Sequence, residues 1–168
     1  MLGKSKLTMD NVVTIKAKKI IREYGQGVIK NDHNAVLRIK PYNAFEFDIC
    51  DSESILFATC RPSLKLRCIL SFEDLFMGDF LFSNGNKEIL RIRFKGVFGL
   101  KRLLVHKDKE FPFSRFNKRK EIEFYESIFS FKFGFDGSLT STTSNANYLN
   151  ELICASSYVW YRRDRYPF

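Results

Sequence analysis

The side chains that carry most enzyme chemistry are few and scattered in this sequence. Only two histidines occur, His33 and His106. His33 sits in Asn31-Asp32-His33-Asn34 and His106 stands beside Lys107, Asp108 and Lys109. Both settings read as turns or solvated loops. The cysteines, Cys50, Cys60, Cys68 and Cys154, contain no Cys-x-x-Cys pair, so a tetrahedral zinc site would lack its usual ligand spacing. Cys68 alternates with Leu66 and Leu70, and Cys154 lies in an apolar run, which is where reduced thiols behave as small core residues. There is no Gly-x-Ser-x-Gly elbow and no phosphate-cradling loop, and Gly96-Val97-Phe98-Gly99 lacks the remaining glycine and the helix of a dinucleotide fingerprint. Glu121 and Glu123 share one face of a strand, a pairing that more often meets solvent than substrate. The sequence therefore assigns no catalytic residue, no metal and no cofactor, and points to a non-enzymatic binding domain.

Charge is the stronger chemical signal. There are 28 Lys and Arg against 19 Asp and Glu, a formal +9. The excess lies in residues 1–40 and 95–120, on either side of an acidic stretch from 41 to 86. In the second basic stretch Lys95, Lys101, Arg102, Lys118, Arg119 and Lys120 are interleaved with Phe98, Phe111, Phe113 and Phe116. Each cation near an anionic bilayer gains about 1 kcal/mol, and an inserted Phe adds apolar burial. Those six cations are the candidate anion-binding residues, with acidic phospholipid or phosphoinositide headgroups as the leading partner. The same composition suits single-stranded nucleic acid. However, Arg93-Phe94-Lys95-Gly96-Val97-Phe98-Gly99 departs from the aromatic strand of RNA-recognition modules after Lys95-Gly96, and a Phe94 that alternates with bases belongs in a core. Another alternative is a protein-protein adaptor that offers Glu46, Asp48, Asp51, Glu53, Glu73, Asp74 and Asp79 to a basic partner. The plain alternative is a solvated basic loop with its Phe residues turned inward.

These residues must be positioned by a single domain over residues 1–168, because 19.7 kDa with 45% hydrophobic residues fits one core. Eighteen Phe exclude a disordered chain. No run of eighteen apolar residues and no apolar leader occurs, so the expectation is a cytoplasmic protein, peripheral to a membrane at most. From about residue 35 to 143 the hydrophobic period is two, as in Phe45 to Ile49, Leu64 to Cys68, Leu90 to Lys95, Glu121 to Phe124 and Phe129 to Phe135. Ser83-Asn84-Gly85-Asn86, Phe135-Asp136-Gly137-Ser138 and Asp51-Ser52-Glu53-Ser54 read as hairpin turns. A weak repeat of strand, turn and strand runs through Phe47 to Cys60, Phe80 to Phe94 and Phe131 to Ser141. Such a meander closes, or nearly closes, into an antiparallel barrel to deal with its edges. Within the N-terminal segment 1–34, Val13, Ala17, Ile20 and Tyr24 share a helical face, which predicts a short helix over 11–24, although the β-branched content also permits a strand. Residues 144–168 form a C-terminal helix and tail. Between Asn147 and Tyr161 this helix is apolar on nearly every side, so it belongs inside the barrel.

A β-meander wrapped around a hydrophobic C-terminal helix resembles the tubby-like superfamily, which includes LURP-one-related proteins and phospholipid scramblases. Phe47 to Ala58 looks like that family's strand, turn and strand, with Ser54 where a Gly is usual, and Tyr148 to Tyr161 looks like its terminal helix. The likeness spans about Ala35 to the end. It implies a lipid-associated domain, while the absence of a Cys-rich segment and a Pro-rich arm argues against scrambling activity.

Overall fold

The computed structural model describes residues 12–19, 27–31, 36–43, 46–63, 79–95, 101–116 and 119–165. It is mainly β. The strands are β1 Val13–Lys19, β2 Gly27–Asn31, β3 Val36–Pro41, β4 Phe47–Cys50, β5 Leu56–Ser63, β6 Asp79–Asn84 and β7 Lys87–Lys95. They continue as β8 Lys101–His106, β9 Lys109–Pro112, β10 Ser114–Phe116, β11 Arg119–Phe124, β12 Ser127–Phe133 and β13 Leu139–Thr143, before helix α1 Leu149–Arg165. All pair antiparallel in one 13-stranded sheet ordered β10-β11-β12-β13-β1-β2-β3-β4-β5-β6-β7-β8-β9.

The two edge strands, β9 and β10, are consecutive in the chain, and this nearly closes the barrel. The Phe113 N–H donates to the Arg102 carbonyl at 3.1 Å, while Ser114 already pairs with Glu121. The backbone thus leaves β8 and joins β11 within one residue, which leaves little unpaired edge.

The helix expected over 11–24 is instead strand β1 across Val13–Lys19. Val13, Ile15 and Ala17 are buried while Lys16 is exposed, so the period that counts is two. Pairing with β13 on one side and β2 on the other satisfies the ladder, and the branched Val13, Thr14 and Ile15 fit a pleated surface. The meander therefore begins at Val13, not near residue 35. A second correction concerns Phe135, which the alternation placed on the buried face of β12. That strand ends at Phe133, and Phe135 lies fully exposed in the following turn.

Helix α1 is buried without a break from Leu152 to Tyr161, on all sides, as only an enclosed helix can be. It touches separate parts of the wall. The Tyr158 ring lies against Phe80 and Phe82, and the Tyr161 ring packs on Phe47 with centroids 4.4 Å apart. Trp160 presses on β2 where a Cβ on Gly27 would come within 2.3 Å of its ring, so only glycine fits there. In the small-residue middle of the helix, the Ser156 and Ser157 hydroxyls donate to the Leu152 and Cys154 carbonyls, which leaves no polar demand on the core. Asn145 caps the 3-10 turn Ala146–Tyr148 that leads into α1. Cys50, Cys60 and Cys154 are buried and free, and burial raises the thiol pKa of each; Cys68 lies outside the described residues.

Candidate anion-binding site

Strands β8 and β11 run in the same direction, from the end of the barrel where α1 finishes to the end where it starts. Lys101, Arg102 and Lys120, at the starts of these strands, therefore collect at one end. Lys95 joins them, directly opposite Lys101 on the outer face. Lys118 lies outside the described residues, and Arg119 belongs to β11 with its side chain outside them too.

The four do not form one outer face. Lys95 is held by Glu110 at 2.7 Å, the last link of a chain on the outside of β6, β7 and β9. Arg93 bridges Glu110 and Asp79, and Arg91 bridges Asp79 and Glu88. In that chain cations and carboxylates balance, and Arg93 and Lys95 together hold the Glu110 carboxyl below its usual range. Lys101 is exposed beside it.

Arg102 points the other way. It pairs across the strands with Phe94, whose row continues into buried Ile92 and Leu104, so its side chain lies on the inner face. Its guanidinium rests 5.8 Å from the Phe94 ring centroid. Arg162, from the last turns of α1, approaches the same ring at 5.9 Å and Phe80 at 6.0 Å. Burial lowers the Arg102 pKa from its ordinary value, with Tyr158 opposing and the Arg162 charge adding to the fall. Lys120 also lies on an inner row, opposite Phe131 and two residues before buried Ile122. Phe135 and Tyr42 stand exposed in turns at this same end.

The opposite end is built differently. His106 is the last residue of β8, half-buried, and not a solvated loop histidine as its neighbours suggest. Its Nδ1 shares a hydrogen bond with the Tyr125 hydroxyl at 3.0 Å, and its Nε2 lies 3.5 Å from Glu151 on α1. Burial lowers the His106 pKa, and Glu151 partly opposes this. Phe124 and Tyr125 pack against it and are joined by Phe111 and Tyr148, and Lys109 lies over the Tyr125 ring at 5.2 Å.

Two residues at the basic end escaped sequence reasoning as site members, Arg162 and Tyr158. The one sequence signal for Arg162 is a cation at a helix C-terminus, and Tyr158 lies within the apolar run of that helix without one. An outer row was missed as well, in which Lys132 and Lys16 flank Thr140 and Lys16 faces Lys30, all three lysines exposed. Like charges directly opposite on neighbouring strands are mutually destabilising. The interleaved Phe111 and Phe113 turn inward, onto Phe124 and Phe131. Of the acidic stretch, Asp48 accepts from the Tyr42 hydroxyl, Asp51 accepts from the Glu53 and Ile55 amides, and Asp79 holds two arginines, while Glu73 and Asp74 lie outside the described residues.

Comparison with protein-family models, with curated proteins and with solved structures finds no match.

Proposed function

We propose that this chain is a non-enzymatic binding domain that engages an anionic surface, with acidic phospholipid or phosphoinositide headgroups as the ligand. The observation that carries the reading is the polarity of the barrel along its axis. Lys101, Arg102, Lys120 and Arg162 gather at one end, while at the other Asp51, Glu53, Glu126 and Glu151 are set against Lys87, Lys107 and Lys109, so the two signs are mixed there. The basic end also presents Phe135, an apolar side chain with no packing partner to lose on entering lipid. Cations around an exposed aromatic are what a peripheral membrane contact needs, and each cation there gains about 1 kcal/mol. The resemblance to tubby-like domains, as a barrel enclosing its C-terminal helix, is part of the same proposal and favours lipid as the source of the anion.

The alternatives are weaker on specific contacts. Single-stranded nucleic acid needs exposed stacking rings beside the bases. Here Phe94 packs on Phe80 and Tyr158, and the two exposed rings at this end, Phe135 and Tyr42, belong to separate turns and do not line a strand face as a stacking platform does. An adaptor that presents acids needs carboxylates free for a partner, yet Asp48, Asp51 and Asp79 serve the fold. The test is sedimentation with neutral and anionic vesicles, beside a titration with single-stranded RNA, each repeated at high salt. Binding to anionic vesicles alone, weakening steeply as the Debye length falls from roughly 10 Å at 0.1 M to about 3 Å at 1 M, is the expected result. Equal sedimentation with neutral vesicles, or tighter binding to RNA, would overturn the reading.

A further inference from the structure

We infer that the bilayer contact continues from the basic end along one side of the barrel, the outer face of β12, β13, β1, β2 and β3, where Lys132, Lys16, Lys30 and Arg38 stand. The inference rests on the lipid reading and adds to it the side of the barrel that lies on the membrane.

Charge is segregated around the wall. These five strands are neighbours in the sheet, and they contain no Asp or Glu. They carry seven Lys or Arg, one on β12, three on β1, one on β2 and two on β3. Asp48, Asp79, Glu88, Glu110, Glu121 and Glu123 all belong to the other strands. On β6, β7 and β9 the cations are paired with carboxylates. Lys132, Lys16, Lys30 and Arg38 form no ion pair among the described residues.

The register collects these four cations. Lys132 lies opposite Thr140, Thr140 opposite Lys16, and Lys16 opposite Lys30. Arg38 stands opposite Val28, two residues from Lys30 on β2. All four are exposed. Neighbouring strands are about 4.8 Å apart, well inside a Debye length of about 10 Å at 0.1 M salt, so the cations act on an outside charge together. Lys16 directly opposite Lys30 opposes folding, and an anionic surface laid over both offsets that repulsion. Thr140 in this row, with Ser130 and Thr142 in the next, adds short hydroxyls that can donate to phosphate oxygens.

Two observations choose the occupant. Every strand of this side is paired on both flanks, so it offers no edge to which an extended peptide could add. Phe135 lies exposed in the turn that joins β12 to β13, at the border between this side and the basic end. An apolar ring gains by entering a bilayer and gains nothing beside nucleic-acid phosphates. The barrel therefore meets an anionic bilayer obliquely, with the basic end and this side both on the lipid.

The decisive variant is Lys16→Glu in the full chain, which sets a carboxylate opposite Lys30. It should melt at or above the wild-type temperature, while its partition onto vesicles of phosphatidylcholine with phosphatidylserine falls roughly tenfold or more. Lys30→Glu should behave alike. Lys87→Glu with Lys107→Glu, both exposed at the ring-capped end, makes twice the change in net charge and should lose far less. Wild-type partition in Lys16→Glu and Lys30→Glu, or a loss no greater than in that control, removes this side from the contact and leaves the lipid reading standing. A marked fall in the melting temperature of Lys16→Glu makes the lysine structural and overturns the inference. If the wild type sediments with no vesicle, the lipid reading fails and the inference with it, and Lys16-dependent binding of duplex DNA by that protein would assign the face to nucleic acid.

Discussion

The two ends of this barrel solve the same problem in opposite ways. Each must cover the end of a buried helix. At the start of α1 the cover is a stack of rings, Phe111, Phe124, Tyr125 and Tyr148, with His106 tied to Tyr125 and Glu151. At its finish the cover is cationic: Arg102 and Arg162 approach the Phe94 ring, which packs on Tyr158. The first arrangement maximises contact and satisfies its polar atoms. The second leaves one buried hydroxyl, that of Tyr158, without a hydrogen bond among the described residues, which stability alone does not favour. The comparison separates an end closed by packed rings from an end closed by cations, and it is the cationic end that the proposed anionic surface would meet.

The comparison breaks most severely if α1 is not the core of the barrel. Truncation after Ser144 should abolish cooperative melting, because it exposes the inner faces of strands all around the sheet at once. A truncated chain with a sharp transition in calorimetry would refute the enclosed helix. Next in size, Phe124→Ala at the ring-capped end should cost about 3–5 kcal/mol in urea denaturation, since this side chain is fully buried among aromatics. At the cationic end Arg102→Met keeps the apolar stem over Phe94, so it should cost clearly less than Phe124→Ala while anionic-vesicle binding falls. Comparable destabilisation by the two substitutions would erase the distinction.

The pH response sharpens it further. His106 has its pKa lowered by folding, so between its folded value and the ordinary 6.5 the unfolded chain binds more protons. Its contribution to stability is therefore present above about pH 6.5 and is lost as pH falls through that window. His106→Gln should flatten the fall in melting temperature from neutral to mildly acidic buffer, and an unchanged slope would assign the response to other groups.

The smallest effect concerns the turn between β4 and β5. Ser54 holds φ at +70°, a left-handed conformation that costs a non-glycine residue about 1–2 kcal/mol. Ser54→Gly should raise stability by roughly 1 kcal/mol or less, after the extra freedom of glycine in the unfolded chain is subtracted. A lower urea midpoint would show that the serine side chain matters more than its backbone.

Most of the meander was legible because period-two alternation and Asn-Gly or Asp-Gly turns are local signals. The three hairpins Phe47 to Cys60, Phe80 to Phe94 and Phe131 to Ser141 are β4–β5, β6–β7 and β12–β13. The buried helix was equally plain, since no outer face could have carried its side chains. Strand β1 was not, because Val13 and Ala17 satisfy both a helical period and a strand period. What decides is pairing with β13 at the far end of the chain, where Val13 meets Thr143. The site was half legible for a similar reason. Lys101-Arg102-Leu103-Leu104 does not alternate, so only the register against Phe94 shows that Lys101 faces out and Arg102 faces in. Arg162 reaches that ring only once the barrel has closed around α1.

The account turns on one end of the barrel binding anions and the other not. Charge reversal at each end tests this directly: Lys101→Glu with Lys120→Glu at the cationic end, and Lys107→Glu with Lys109→Glu at the ring-capped end, each compared with wild type in sedimentation with phosphatidic acid vesicles at low and high salt. The account predicts that the first pair abolishes salt-sensitive binding while the second pair, with the same change in net charge, retains it. Equal loss in both pairs would mean that net charge alone drives the association, and would contradict a site at the cationic end.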